Sequence, residues 1–204
     1  MAKMEEKKIV VGITGASGMI YAQRLIELLS NLQVDIHLVL SRHAMKVIPH
    51  ELDLLTFKKG KHVEQPVLRY VHADKITVYN SNDFTAPIAS GSYRTHGMVI
   101  CPCTAGTLGR VANGISTNLL DRAADVHLKE RRIMIAVLRE MPYSQILIEN
   151  MLKFSRAGGL ILPASPSFYH LPDSIKDVTD SVVARILDHL GLESQLKVRW
   201  SIDI

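Results

Sequence analysis

Apolar residues along this chain follow two alternating patterns: short β-branched runs, and longer stretches with apolar positions three or four apart. The runs at 9–14, 36–40, 76–79, 98–101, 133–138 and 160–162 contain no Lys, Arg, Asp or Glu. They predict strands buried on both faces. The amphipathic stretches predict helices over 18–31, 42–50, 104–112, 117–130, 144–156 and 174–190. Such alternation predicts an α/β fold, a parallel sheet with helices on both faces. Residues 57–92 are the least regular, and the tail after Leu192 is polar until Trp200. Without a repeat or a Pro/Gly/Ser linker, residues 1–204 read as a single domain.

In an open parallel sheet, ligands bind beyond the carboxyl ends of the strands. The loop at the end of each predicted strand is therefore informative. The first strand leads into Gly15-Ala-Ser-Gly18 and the second into Ser41-Arg-His43. Ser90-Gly-Ser92 and Pro102-Cys-Thr-Ala-Gly-Thr107 flank the fourth, Arg139-Glu140 follows the fifth, and Pro163-Ala-Ser-Pro-Ser-Phe-Tyr-His170 runs on from the sixth. Hydroxyls, glycines and cations gather on one edge, the chemistry of a phosphate-bearing ligand held at helix N-termini.

Composition narrows the classes. The chain has 204 residues, 47% of them hydrophobic and 22% charged, so it can build its core without disulfide or metal. Aromatic residues make up 5%, few for a protein that stacks on nucleic acid, and the net charge of +4 is scattered, which suits a small anion better than a duplex. Cys101 and Cys103 match neither a disulfide framework nor CxxC spacing, and the nine histidines show no metal-ligand spacing, so no metal is expected. The first eight residues lack the apolar core of a signal peptide and no run is long enough to span a bilayer. The expected location is the cytoplasm.

Each motif has a plainer reading. Gly12-Ile-Thr-Gly15-Ala-Ser-Gly18 suits backbone approach to an anion or a flavin edge, or is a tight turn alone; it is not the GxGxxG fingerprint. Ser41-Arg42 stands where a nicotinamide enzyme usually places Asp or Glu, and no tyrosine has Lys four residues on, as a short-chain dehydrogenase needs. Arg122 and Lys129, seven apart, share a helix face and can converge on one phosphate or form a solvated surface. Arg139-Glu140 after an apolar strand contacts ligand or forms an ion pair. Tyr169 lies among prolines 163, 166 and 172, and Glu51 alone reads as a surface carboxylate.

Together, Val11-Gly-Ile-Thr-Gly-Ala-Ser-Gly18, Ala89-Ser-Gly-Ser92, Ile100-Cys-Pro-Cys-Thr-Ala-Gly-Thr107, the run from Asn118 to Arg132, Arg139-Glu-Met-Pro142 and the segment from Pro163 to His170 resemble the UbiX-type flavin prenyltransferases. The resemblance runs from about Lys8 to Trp200. It implies a three-layer, Rossmann-like (flavodoxin-like) fold. It also implies metal-independent transfer of dimethylallyl from its monophosphate to N5 and C6 of reduced FMN. The prenylated FMN would serve a UbiD-type decarboxylase in ubiquinone biosynthesis, and the assembly would be a homododecamer.

By the same resemblance Gly15, Ala16, Ser17, Ser41, Thr104, Ala105, Gly106, Thr107 and Arg139 match FMN contacts. Ser90, Arg122, Lys129, Tyr169, Arg185 and Trp200 match the prenyl-donor site, some supplied by a neighbouring subunit. Ser17, Glu51 and Glu140 match positions that handle protons. Leu138 and Met141 depart from the family's Pro-Arg-Glu-Thr/Ala-Pro without touching its chemistry, and Phe84 stands where relatives often have Trp, a weaker partner for a cation. The competing readings are a flavin-dependent decarboxylase of the cysteine-peptide type and a non-catalytic FMN carrier.

Overall fold

The structure, a computed structural model, describes residues 7–52, 55–59, 64–68, 75–193 and 196, with the backbone alone at 55–59 and 64–68. The strands are β1 (Lys8–Ile13), β2 (Asp35–Leu40), β3 (Leu55–Lys59), β4 (Glu64–Leu68), β5 (Ile76–Tyr79), β6 (Gly97–Cys103), β7 (Ile133–Leu138) and β8 (Leu160–Pro163). The helices are α1 (Met19–Asn31), α2 (Ala44–Glu51), α3 (Ala105–Ala112), α4 (Leu119–Lys129), α5 (Gln145–Arg156) and α6 (Ile175–His189). All six strands expected from the apolar runs form one parallel sheet in the order β5-β2-β1-β6-β7-β8. Counted along the chain, the six strands of this sheet run 3-2-1-4-5-6, the doubly wound, Rossmann-like arrangement of three layers.

The sheet separates two apolar layers. Val11, Leu38 and Val137 pack with α1, α2 and α6, whereas Val10, Met98 and Ala136 pack with α3, α4 and α5. Neighbouring strand residues thus point to opposite buried faces, so the strands read as continuous apolar runs. Four helices start on a side-chain cap: Thr104, Asn118, Ser144 and Ser174 accept from the N–H groups of Thr107, Asp121, Leu147 and Asp177. Each cap contributes about 1 kcal/mol.

The least regular segment holds one feature that the apolar pattern does not predict. β3 and β4 pair antiparallel as a separate two-stranded sheet, with Pro66 opposite Phe57. A proline in a strand and a Lys58-Lys59 end erase the alternation that would have marked it.

β1 pairs with β2 on one side and β6 on the other, so the chain winds outward in opposite directions from the β1/β6 border. The loops leaving these two strands therefore part and open a crevice at their carboxyl ends.

Candidate active site

The crevice is built from the two loops that the border separates. Thr14, 1% exposed, ties them together: its hydroxyl donates to the Pro102 carbonyl at 2.7 Å and accepts from the Thr104 N–H at 2.9 Å. Thr104 then caps α3, accepting from Thr107 N–H at 3.2 Å and donating to the Thr107 hydroxyl at 3.0 Å. Across the opening, Ser41 Oγ accepts from Ala44 N–H at 3.1 Å, closing the turn into α2. A cleft of about 500 Å³ results, lined among others by Gly15, Ser41, Arg42, Thr104, Thr107 and Arg110. Its hydroxyls, exposed Arg42 and the first turn of α3 are the donors that a phosphomonoester takes, so this chain's residues fit an FMN.

Gly15 is required by space. A β-carbon there would lie 2.5 Å from the His43 β-carbon. Gly15→Ala is expected to weaken FMN binding about tenfold or more through overpacking of the turn. A fluorescence titration showing unchanged affinity would count against the turn as the flavin's cradle.

Two of the three proton-handling candidates, Ser17 and Glu51, come together at the next turn. Gly18 opens α1 with φ 105° and no side-chain cap, and the missing cap comes from Glu51 at the far end of α2. Its Oε2 accepts from both the Gly18 and Met19 N–H groups at 2.9 Å. Partial burial pushes the Glu51 carboxyl up, but the hydrogen bonds from Met19, the Ser17 hydroxyl and Gly18, with the charge of Arg139, outweigh it. The group is held below the usual carboxylate range and is ionised at neutral pH. Glu51 is exposed, as its sequence context suggested, yet it is not an idle surface carboxylate. Arg139 completes the group by donating from Nε to the Ser17 carbonyl at 3.1 Å. Arg139 and Glu140 form no ion pair with each other or with any other described residue; Glu140 accepts from Met141 N–H at 3.2 Å. Ala16 is buried, and Ala105 and Gly106 form the opening of α3.

Arg122 and Lys129 lie along α4 and both reach residues 89–91. Arg122 Nε donates to the Ala89 carbonyl at 3.1 Å while its Nη1 pairs with Asp125 at 2.7 Å, and Lys129 pairs with Glu130. Ser90 Oγ lies 2.8 Å from Ser92 Oγ in the same turn. Phe84, 49% exposed, follows Ser81 and Asn82 on the cleft's rim.

The remaining donor-site residues lie later in the chain. Arg185 pairs with Asp188 on α6, which packs on α1 across the sheet from α4. Tyr169, 80% exposed, sits on the segment after β8 that Ser167 N–H fastens to Ser181 of α6. The chain does not join Arg185 to Arg122 and Lys129, which lie on the opposite face of the sheet. Trp200 lies outside the described residues.

Arg110 and Asp121 escaped the sequence reading. The Asp121 carboxylate, fully buried, takes Arg110 Nε at 2.8 Å and Nη2 at 3.1 Å, the Thr117 hydroxyl at 2.8 Å and Asn118 Nδ2 at 2.9 Å. Arg110 Nη2 also donates to the Thr107 hydroxyl at 3.2 Å. The signal present in the sequence was Asn118-Leu-Leu-Asp121, a cap with an acid in the first helical turn. The two cysteines are buried, and burial pushes both thiols up, Cys103 to about 12, which leaves them as inert core side chains.

A family model described as Flavoprotein matches residues 1–187. A flavin prenyltransferase UbiX of Pseudomonas aeruginosa is 45% identical over 196 residues, 95% of this chain and 94% of that protein. Among solved structures, AnUbiX (PadA1) in complex with FMN and dimethylallyl pyrophosphate superposes with a TM-score of 0.85 at 37% identity, covering 97% of this chain and 98% of the other. A dodecameric FMN-dependent UbiX-like decarboxylase from Escherichia coli O157:H7 superposes with a TM-score of 0.81 at 38% identity, covering 95% and 98%.

Proposed function

The chain belongs to the UbiX flavin prenyltransferase family, and on that premise we propose that it joins the dimethylallyl group of dimethylallyl monophosphate to N5 and C6 of reduced FMN. The observation that carries the reading is the meeting of the Gly15–Gly18 turn and the α3 N-terminus at the β1/β6 border, beside a hydroxyl-lined cleft. Reduced FMN, when bound, supplies the electron-rich ring atoms. Ser41, Thr104, Thr107 and Arg139 hold and orient it. Arg122, Lys129, Ser90, Tyr169 and Arg185 stabilise the negative charge that grows on the departing phosphate oxygen, the role otherwise given to Mg²⁺. Ser17, with Glu51 ionised behind it, and Glu140, which follows Arg139 directly, move the proton that ring closure releases. The product then passes to a UbiD-type decarboxylase. Anaerobic incubation with reduced FMN and dimethylallyl monophosphate is expected to give a covalent flavin adduct by mass spectrometry. No adduct would sink the reading, and adduct from the diphosphate alone would overturn the donor.

The separation of Arg185 from Arg122, on opposite faces of the sheet, supports a site completed by a second copy within a homododecamer. Met141, Ile146, Phe168, Leu171 and Ile175 are each more than 60% exposed, an apolar load that a lone chain rarely leaves uncovered. Arg122→Ala and Arg185→Ala should each be inactive, whereas oligomers mixed from the two should recover activity, because some sites then draw both intact arginines from different chains. Failure of mixed oligomers to recover would place the whole site within one chain. Among the described residues no helix is long and apolar enough to cross a membrane.

A further inference from the structure

Residues 91–95 run from the Ser90 turn to the start of β6 and carry no side chain that the proposed chemistry uses. They are nevertheless fastened closely to α4 and to Arg132, the residue before β7. Arg132, half-buried, donates from Nη1 to the Tyr93 carbonyl at 2.8 Å and to the Thr95 hydroxyl at 3.2 Å, and from Nη2 to the Gly91 carbonyl. His127 is 1% exposed and its Nδ1 lies 2.7 Å from the Ala123 carbonyl. A carbonyl only accepts, so the proton is assigned to Nδ1, and Nε2 must accept from the Thr95 hydroxyl at 2.8 Å. Thr95 thus accepts from Arg132 and donates to His127, and the chain of donors ends on the helix backbone. Burial above all, with the charge of Arg132, pushes His127 down to about 4 against its backbone contacts at Ala123 and Gly97, so the ring stays neutral and the chain keeps its direction at neutral pH.

The consequence falls at Gly91. A methyl group there would lie 2.7 Å from the Lys129 ammonium and closer still to the Glu130 carboxylate. Its backbone is not in the left-handed region, so space and not conformation demands the glycine. Lysine carries its charge on a flexible stem of many rotamers, and a bare backbone held at a fixed place limits where that charge can rest.

We infer that Arg132 is a positioning residue for the prenyl-donor phosphate: by fixing the Gly91 and Tyr93 carbonyls it keeps the bare Gly91 backbone against Lys129, and so keeps that ammonium beside Ser90 and Arg122. The inference rests on the reading of Ser90, Arg122 and Lys129 as donor ligands. The atoms displaced by Gly91→Ala are side-chain ends, so that variant should fold.

Gly91→Ala, Arg132→Gln and Arg132→Lys are compared with wild type as FMN-loaded oligomers. Calorimetry with oxidised FMN reads dimethylallyl monophosphate affinity without turnover, and initial rates with reduced FMN give KM and kcat. In Gly91→Ala and Arg132→Gln the donor Kd and KM should rise about tenfold or more, with FMN affinity and kcat within about twofold. Arg132→Lys should recover part of the loss, since one ammonium can reach one carbonyl where the guanidinium spans two. Unchanged donor affinity in Gly91→Ala, or FMN and donor affinity falling together, would overturn the inference. If Arg132→Gln fails to fold, Gly91→Ala alone decides. Wild-type protein that binds the donor yet forms no adduct defeats the proposed reaction instead, and the affinity comparison still judges the positioning role.

Discussion

Glu51→Gln is expected to lower prenyl transfer about 10²- to 10⁴-fold, the span associated with loss of a general acid–base group, while FMN remains bound. The amide keeps one oxygen to accept from Gly18 or Met19 but loses the charge that faces the Ser17 hydroxyl and the α1 N-terminus. Ser41, Thr104 and Thr107, the FMN contacts proposed above, are held by other hydrogen bonds and should survive. Because the wild-type carboxyl is held below its ordinary value, the ionised form persists through neutral pH and is lost only as pH falls through that lowered value. The acidic limb of the kcat profile should therefore lie below the ordinary glutamate range and vanish in the variant. The same depression gives folding stability that is present above the unfolded value and fades as pH falls through the folded one. A Glu51→Gln protein with wild-type turnover and an unchanged acidic limb would remove Glu51 from proton handling.

What the sequence revealed and what it hid divide by the distance over which a role is assembled. Strands buried on both faces are written locally, as in 133–138, where the apolar run and β7 coincide. Helix starts are also local, since Thr104, Asn118, Ser144 and Ser174 mark them with their own side chains. Arg122 and Lys129 were legible because seven residues of helix bring them to one face, and both do reach the Ala89–Gly91 turn. Glu51 was not, because its partners at Gly18 and Met19 lie 33 and 32 residues away and meet it only when α2 folds back on α1. Without the family resemblance it is one acidic residue at the end of a helix. Arg185 shows the opposite limit, for the folded chain still leaves it across the sheet from Arg122.

Asp121→Ala is expected to be the most damaging single change to the cleft wall. It removes the acceptor of four side-chain donor groups, Arg110 Nε and Nη2, the Thr117 hydroxyl and Asn118 Nδ2, from a fully buried position. Breaking a buried ion pair by deleting one partner costs about 3–5 kcal/mol; Arg110 is one-third exposed and can recover some hydration, so the lower end, about 3, applies. For a chain of this length that corresponds to a Tm fall of about 6–12 °C at fixed protein and FMN concentrations. Binding should suffer in addition, because Arg110, Thr107, Thr117 and Asn118 all line the cleft. Asp121→Asn separates the two effects. Its amide oxygen can still accept while its amino group meets Arg110 as donor against donor, so the turn at Thr117 holds better than the guanidinium does. That variant should lose FMN affinity about tenfold or more yet melt closer to wild type than Asp121→Ala does. An alanine variant that melts with wild type, or an asparagine variant that binds FMN as wild type does, would show that Arg110 finds its place on the cleft wall without Asp121.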